Sequence, residues 1–268
     1  MAQQLMDTEP CPKCNGTGYL IEEDKSTGTT HARKCDCSLS TLRRGLLGEA
    51  NIPPLYQNAS MENYKHASDN PITAKRQATI MLHLNRYLRT YLENKPAGLL
   101  FIGDPGVGKT HLAVAVLREV ITRYHVNGLF LDYQELIRAI QRSYNRAEST
   151  EDDRGILDKT TSIPMLVIDD IGAQRPTDWQ IDIMTHLFTT RANYNRPTIV
   201  TTNLVESRGE KAMTMPMAVP GTEGKRYDLR RSLDEVIGAR AASRLYETCR
   251  VINFGGIEDY RVKNAIRV

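Results

Sequence analysis

The stretch GDPGVGKT, residues 103–110, constrains this chain more than any other. It follows the apolar run GLLFI (98–102) and opens a helical pattern, so its glycines place a tight loop between a buried strand and a helix N-terminus. Lacking Cβ atoms, the loop can curl until successive N–H groups converge on one point. The positive end of the following helix then favours an anion there. The pattern G-x-x-x-x-G-K-[ST] in this setting points to ATP. Gly103, Asp104, Pro105, Gly106, Val107, Gly108, Lys109, Thr110 and His111 form the expected phosphate cradle, in which Lys109 reaches the β and γ phosphates and the Thr110 hydroxyl ligates Mg2+. The plain alternative is a glycine-rich turn that merely joins strand to helix, and the flanking strand argues against it.

Around this loop, apolar runs of strand length alternate with helical patterns. The strands expected are 98–102, 128–132, 165–169, 198–202 and 250–254; the helices run from 109 to about 124, 134 to about 145, 178 to about 195 and 233 to about 248. The strands are continuously apolar, as they must be when helices cover both faces of a sheet. The expected fold is therefore α/β, a parallel sheet core with helices on both faces. Upstream, AKRQATIMLHLNRYLRTYLEN (74–94) repeats its apolar residues at helical spacing.

Two further strand ends carry polar groups. MLVIDDIG (165–172) ends in paired carboxylates: Asp169 is expected to hold Mg2+, and Asp170 to orient or deprotonate the attacking water. Asp at the second position, where many such ATPases carry Glu, is one methylene short, which predicts slow, partner-dependent hydrolysis. The bare alternative is a pair of Asp residues that caps the next segment. TIVTTN (198–203) places Asn203 at the carboxyl end of a strand beside the phosphate-loop strand, where its amide can touch the γ-phosphate or its attacking water; a turn residue is the plain alternative.

Cysteines 11, 14, 35 and 37 follow the spacing C-x₂-C-x₂₀-C-x-C, two close pairs that suit tetrahedral Zn2+ rather than disulfides in a reducing compartment. His31 reads as a solvated loop residue and Cys249 as a core residue. The acidic N-terminus lacks the apolar segment of a signal peptide, and no stretch has the ~20 apolar residues a membrane span needs. A cytoplasmic protein with no membrane partner is expected. The net charge of +3 is too mild to establish nucleic-acid binding. Three units are expected: a zinc-binding module over 1–50, a linker or lead-in over 51–73, and the ATPase core over 74–268.

Together, IPPLYQNASMENY, GDPGVGKTHLAVAV, LDYQELIRAI, LVIDDIGA, TTN and ARAASRLYETCRVINFGG resemble the AAA+ ATPases of the DnaC/DnaI/IstB group, helicase loaders and transposition ATPases, over about residues 50–262. The resemblance implies that Asn203 is sensor 1, that Arg244 is an arginine finger acting on a neighbouring subunit's γ-phosphate, and that Arg240 supports it. It also implies a core without the C-terminal helical lid, and an ATP-bound homo-oligomer. An additional helix in related loaders lines a single-stranded DNA channel. In this chain Arg138, Arg142 and Arg146 stand four apart, with Tyr133 and Tyr144 as candidate base-stacking rings; a solvated basic face is the alternative. The segment 206–231 reads as a surface loop or a partner-binding loop.

The function expected is ATP-dependent loading of a DnaB-type replicative helicase, docked through the N-terminal region while the core engages single-stranded DNA. The alternatives are an IstB-like transposition helper, a P-loop small-molecule kinase, and a nucleotide-gated zinc adaptor.

Overall fold

The computed structural model describes residues 11–14, 17–24, 28–64, 70–93, 97–144, 155–172, 176–204 and 231–263. Its N-terminal part is an antiparallel hairpin, β1 (Tyr19–Asp24) and β2 (Thr29–Lys34), followed by helix α1 (Asp36–Glu49). Helix α2 (Pro71–Arg89) starts on Asn70, whose side-chain oxygen accepts from the N–H groups of Ile72 and Thr73 at 3.0 and 3.3 Å. Then follow β3 (Gly98–Ile102), α3 (Lys109–Tyr124), β4 (Gly128–Asp132), α4 (Tyr133–Tyr144), α5 (Ile156–Ser162), β5 (Met165–Ile171), α6 (Asp178–Asn193), β6 (Thr198–Thr202), α7 (Leu233–Ile237), α8 (Ala239–Thr248), β7 (Cys249–Asn253) and α9 (Tyr260–Lys263).

Strands β3 to β7 form the expected parallel sheet, in the order β4-β5-β6-β3-β7. Side chains alternate along each strand, so β3 feeds two cores. Leu99 and Phe101 pack under α2 and α3, while Leu100 and Ile102 pack under α4, α6 and α8. Each fully buried side chain of this kind contributes about 1.5–3 kcal/mol. Among the described residues only the four-residue α9 follows β7, and no helical lid is present.

Three details differ from the periodicity. The helix expected over 233–248 breaks at Gly238 (φ 83), where a side chain would strike Ile181 of α6. Helix α2 stops at Arg89, and Tyr91 leaves the helix to stack on Tyr124. Helix α5 carries too little apolar periodicity to be seen in sequence, and the fold holds it through Arg191 of α6, which is 1% exposed. That guanidinium donates to the carbonyls of Thr160, Ile163 and Pro197 and to Thr198 Oγ1 at 2.7–2.8 Å. Burial pulls its pKa down to about 9, leaving it a cation satisfied by carbonyl dipoles.

The described part of the lead-in, 51–64 and 70–73, does not hang free of the core. Ala59, Met61 and Tyr64 are buried in the cluster under α3, and the N–H of Phe130 on edge strand β4 donates to Ala50 O at 2.8 Å. Asn51 closes the same edge, donating from Nδ2 to Phe130 O at 3.1 Å.

Candidate nucleotide site and cysteine cluster

The loops after β3, β5 and β6 meet because parallel register sets Ile102 beside Thr202 and Ile168 beside Val200. Gly106 (φ 76) and Gly108 (φ 91) take the left-handed turns that curl the phosphate loop. Neither tolerates a side chain: at Gly106 it would overlap the Asp259 carboxylate, and at Gly108 the Tyr64 ring. Gly108 caps α3 without a side-chain hydrogen bond, so the first N–H groups of that helix are offered to an outside acceptor. This cradle fits a polyphosphate.

Within it, Lys109 is 7% exposed and donates from Nζ to Gly103 O, Asp104 O and Asn203 Oδ1 at 2.9, 2.8 and 2.6 Å. Burial outweighs the attraction of Asp170, Asp169 and Asp104 and lowers its pKa to about 8. The Thr110 hydroxyl donates to the Asp169 carboxylate, at 2.9 and 3.1 Å from its two oxygens, and Thr201 Oγ1 donates to the same carboxylate at 2.6 Å. Burial raises the pKa of Asp169, and those two hydroxyls oppose the rise. A hydroxyl and a carboxylate in contact, both oxygen donors, suit Mg2+.

Three steps on β5 oppose two on β6 between Ile168 and Ile171, a bulge that swings out Asp170. Asp170 has φ 57, a left-handed backbone that Asp adopts more readily than most residues. The Thr201 hydroxyl accepts from Asp170 N–H at 2.9 Å, and Asn203 Nδ2 donates to Asp170 Oδ1 at 3.0 Å. The structure thus brings Lys109, Thr110, Asp169, Asp170 and Asn203 into one network.

His111 turns away from this network. Its ring Nε2 is 3.0 Å from Ser60 O, so its side chain ties the lead-in to α3. Arg244 stands elsewhere too: it lines a cavity with Gly98 and Thr198, the first residues of β3 and β6, whereas the phosphate loop follows their far ends. Five residues of strand separate the two by about 16 Å, so Arg244 lies far from the phosphate loop of its own chain. It is paired with Glu247 at 2.7 Å on the surface, and Arg240 is exposed.

Sequence reasoning missed two braces of the loop. Tyr64 donates its hydroxyl to Val107 O at 2.9 Å, and Tyr260 N–H donates to Gly106 O at 3.1 Å. Arg261, next to Tyr260, lies close enough to oppose protonation of Lys109. Their distance in sequence from the loop hid all three.

On α4, Arg138 and Arg142 occupy the exposed face and Leu136, Ile137 and Ile140 the buried one. Arg146 lies outside the described residues, as does 206–230. Tyr133 corrects an expectation: it is 3% exposed, a core residue that no base can stack on. Tyr144 is exposed and meets Trp179 edge-on.

The Sγ atoms of Cys11, Cys14, Cys35 and Cys37 all lie within 4.8 Å of one another. Tetrahedral zinc, with Zn–S of about 2.3 Å, spaces its sulfurs about 3.8 Å apart, so the cluster fits a zinc-binding module. Cys35 caps α1, and Gly18 N–H donates to Cys14 Sγ at 3.4 Å. Hydrogen bonds with the Cys14 and Cys35 thiols push the Cys37 thiol up to about 12, and a coordinating dication would deprotonate it. His31 is exposed on β2, outside the cluster. Cys249 is buried. No described helix is long and apolar enough to cross a membrane.

A family model described as "IstB-like ATP binding protein" matches residues 49–214. The replicative helicase loader DnaC of Escherichia coli K12 is 27% identical over 169 residues, 61% of this chain and 65% of that protein. The match therefore spans slightly less than two thirds of that relative's length. A crystal structure of the DnaC helicase loader superposes with a TM-score of 0.57 at 26% identity, covering 75% of this chain and 99% of that one. A crystal structure of DnaI shares the fold, with a TM-score of 0.54 at 22% identity over 79% of this chain and 95% of that one.

Proposed function

Because this chain belongs to the family of IstB-like ATP-binding proteins, we propose that it is an ATP-dependent loader of a DnaB-type replicative helicase. The similarity to the DnaC loader over 99% of that solved chain is the observation that carries this reading. ATP seats on the N–H groups that follow Pro105 in the loop 103–110, with Lys109 on its β and γ phosphates, and Thr110 and Asp169 would hold Mg2+. Magnesium supplies charge neutralisation on the phosphates. Asp170 orients the attacking water, and Asn203 registers the γ-phosphate. Arg244, supported by Arg240, completes a neighbour's site, so hydrolysis waits on a homo-oligomer. With Asp rather than Glu at 170, basal hydrolysis is slow.

Residues 1–50, stapled by zinc on the four cysteines, dock the helicase, and 51–73 join that module to the core of 74–268. The exposed Arg138 and Arg142, with Arg146 beyond them, follow the phosphates of single-stranded DNA. The work is cytoplasmic. Co-purification with the host's or phage's replicative helicase, with and without ATP, tests the reading. Capture that depends on residues 1–50 supports it, and no capture in either state rejects it.

A helper ATPase that marks duplex target DNA for a transposase is the second reading, favoured by the family description. Preference for duplex over single strands, without helicase capture, would select it.

A further inference from the structure

Helix α2 and the outer edge of β7 enclose an open groove of about 680 Å³ that takes no part in the nucleotide site. Its charge is one-sided. Arg76, His83 and Arg86 line it from the exposed face of α2, Arg250 faces them from β7, and among the described residues no carboxylate lines it. Ten helical positions separate Arg76 from Arg86, a span of about 15 Å. Strand β7 has five residues, about 16 Å. The cationic row and the strand run to the same length.

The strand edge is open. Among the described residues β7 pairs with β3 alone. Phe254 N–H donates to Ile102 O at 2.7 Å, which fixes the phase of the main chain. Because N–H and C=O directions alternate along a strand, Val251 and Asn253 turn theirs away from β3 and into the groove. At the other edge of the sheet, Ala50 and Asn51 already cover β4.

We propose that this groove receives an extended acidic peptide segment of a partner protein, added as a strand to β7 with its carboxylates on Arg76, Arg86 and Arg250. Strand addition supplies affinity through the main chain of Val251 and Asn253, and the guanidinium groups select acidic side chains. A polynucleotide also carries the required charge. It has no alternating donors and acceptors for Val251 and Asn253, and among the described residues no exposed Phe, Tyr or Trp ring lines the groove for base stacking. The assignment stands independently of the helicase-loading reading.

The test uses the full chain and a fluorescein-labelled peptide alternating valine with glutamate, followed by anisotropy. Controls are the lysine counterpart, the same acidic peptide N-methylated at alternate amides, and labelled oligothymidylate. The acidic peptide should bind in a salt-dependent way, and the Arg86→Glu/Arg250→Glu variant should weaken it about tenfold or more while ATP-analogue binding is unchanged. The lysine and N-methylated peptides should not bind. Absence of acidic-peptide binding, equal binding by the charge-reversed variant, or loss of oligothymidylate binding alone would overturn the proposal.

Discussion

Lys109 and Asn203, one opening α3 and the other closing β6, meet at 2.6 Å: the ammonium donates to the side-chain carbonyl of Asn203. The amide nitrogen of Asn203 donates in turn to Asp170 at 3.0 Å. The amide has one satisfying orientation, oxygen toward the cation and nitrogen toward the carboxylate. Asn203 thereby joins Lys109 to Asp170, the two groups to which the proposed function gives phosphate binding and water activation.

Replacing that amide should separate binding from chemistry. Asn203→Ala is expected to change ATP-analogue affinity by no more than a few-fold and to lower assembly-stimulated hydrolysis by about a hundredfold, the scale of losing one positioned polar group. Single-turnover hydrolysis beside equilibrium binding measures the two. An equal loss in both would assign Asn203 to binding alone.

Nucleotide affinity should depend on pH through Lys109. With its pKa lowered to about 8 by burial, the free protein carries the ammonium below that pH and loses it above. Phosphate favours the protonated form, so affinity is flat at lower pH and falls as pH rises through about 8, by at most tenfold per unit. In the folding equilibrium the same depressed base weighs against the fold below about pH 8, and the cost is relieved as pH rises toward its unfolded value. Calorimetry above pH 8 in two buffers of different ionisation enthalpy should detect proton uptake on ATP binding, and buffer-independent heats would contradict this.

Arg244→Ala should leave nucleotide binding intact and reduce assembly-stimulated hydrolysis by about a thousandfold. Its surface pair with Glu247, both partners substantially exposed, is worth at most about 1 kcal/mol, so the arginine leaves it readily. Mixing Arg244→Ala subunits with Lys109→Ala subunits should restore part of the activity, because each supplies what the other lacks. No recovery in the mixture would argue against action across a subunit boundary.

Metal removal should act on one end of the molecule only. Zinc-selective chelation with Mg2+ kept in excess, or Cys11→Ser with Cys14→Ser, is expected to release one zinc per chain and to increase proteolysis within residues 11–37, while ATP binding persists on a core stabilised by its own apolar clusters. Metal analysis and limited proteolysis read this out. Loss of nucleotide binding on chelation would show that the metal supports the core.

Local order in the sequence carried much of this molecule. The phosphate loop was legible because its glycines, lysine and threonine are contiguous. The five strands were legible because a sheet covered on both faces demands continuous apolar runs. The cysteine pairs were legible because metal ligands cluster at short spacing. Tyr133 was misread although it stands at helical spacing with Leu136, Ile137 and Ile140, the apolar set that meets the sheet, and α5 was missed because Arg191, not an apolar stripe, anchors it.

By itself, then, the sequence determined a parallel α/β core, a loop shaped for polyphosphate and a four-thiol cluster, each encoded within a short run of residues. Tertiary structure alone decided that a bulge turns Asp170 toward Asn203, that Tyr64 and Tyr260 brace the loop from distant segments, and that Arg244 faces away from its own site. It also decided that β4 is covered while, among the described residues, β7 stays open. The physical reason is that propensity and spacing act over a few residues, whereas the direction in which a side chain points across the sheet is fixed by strand order and packing.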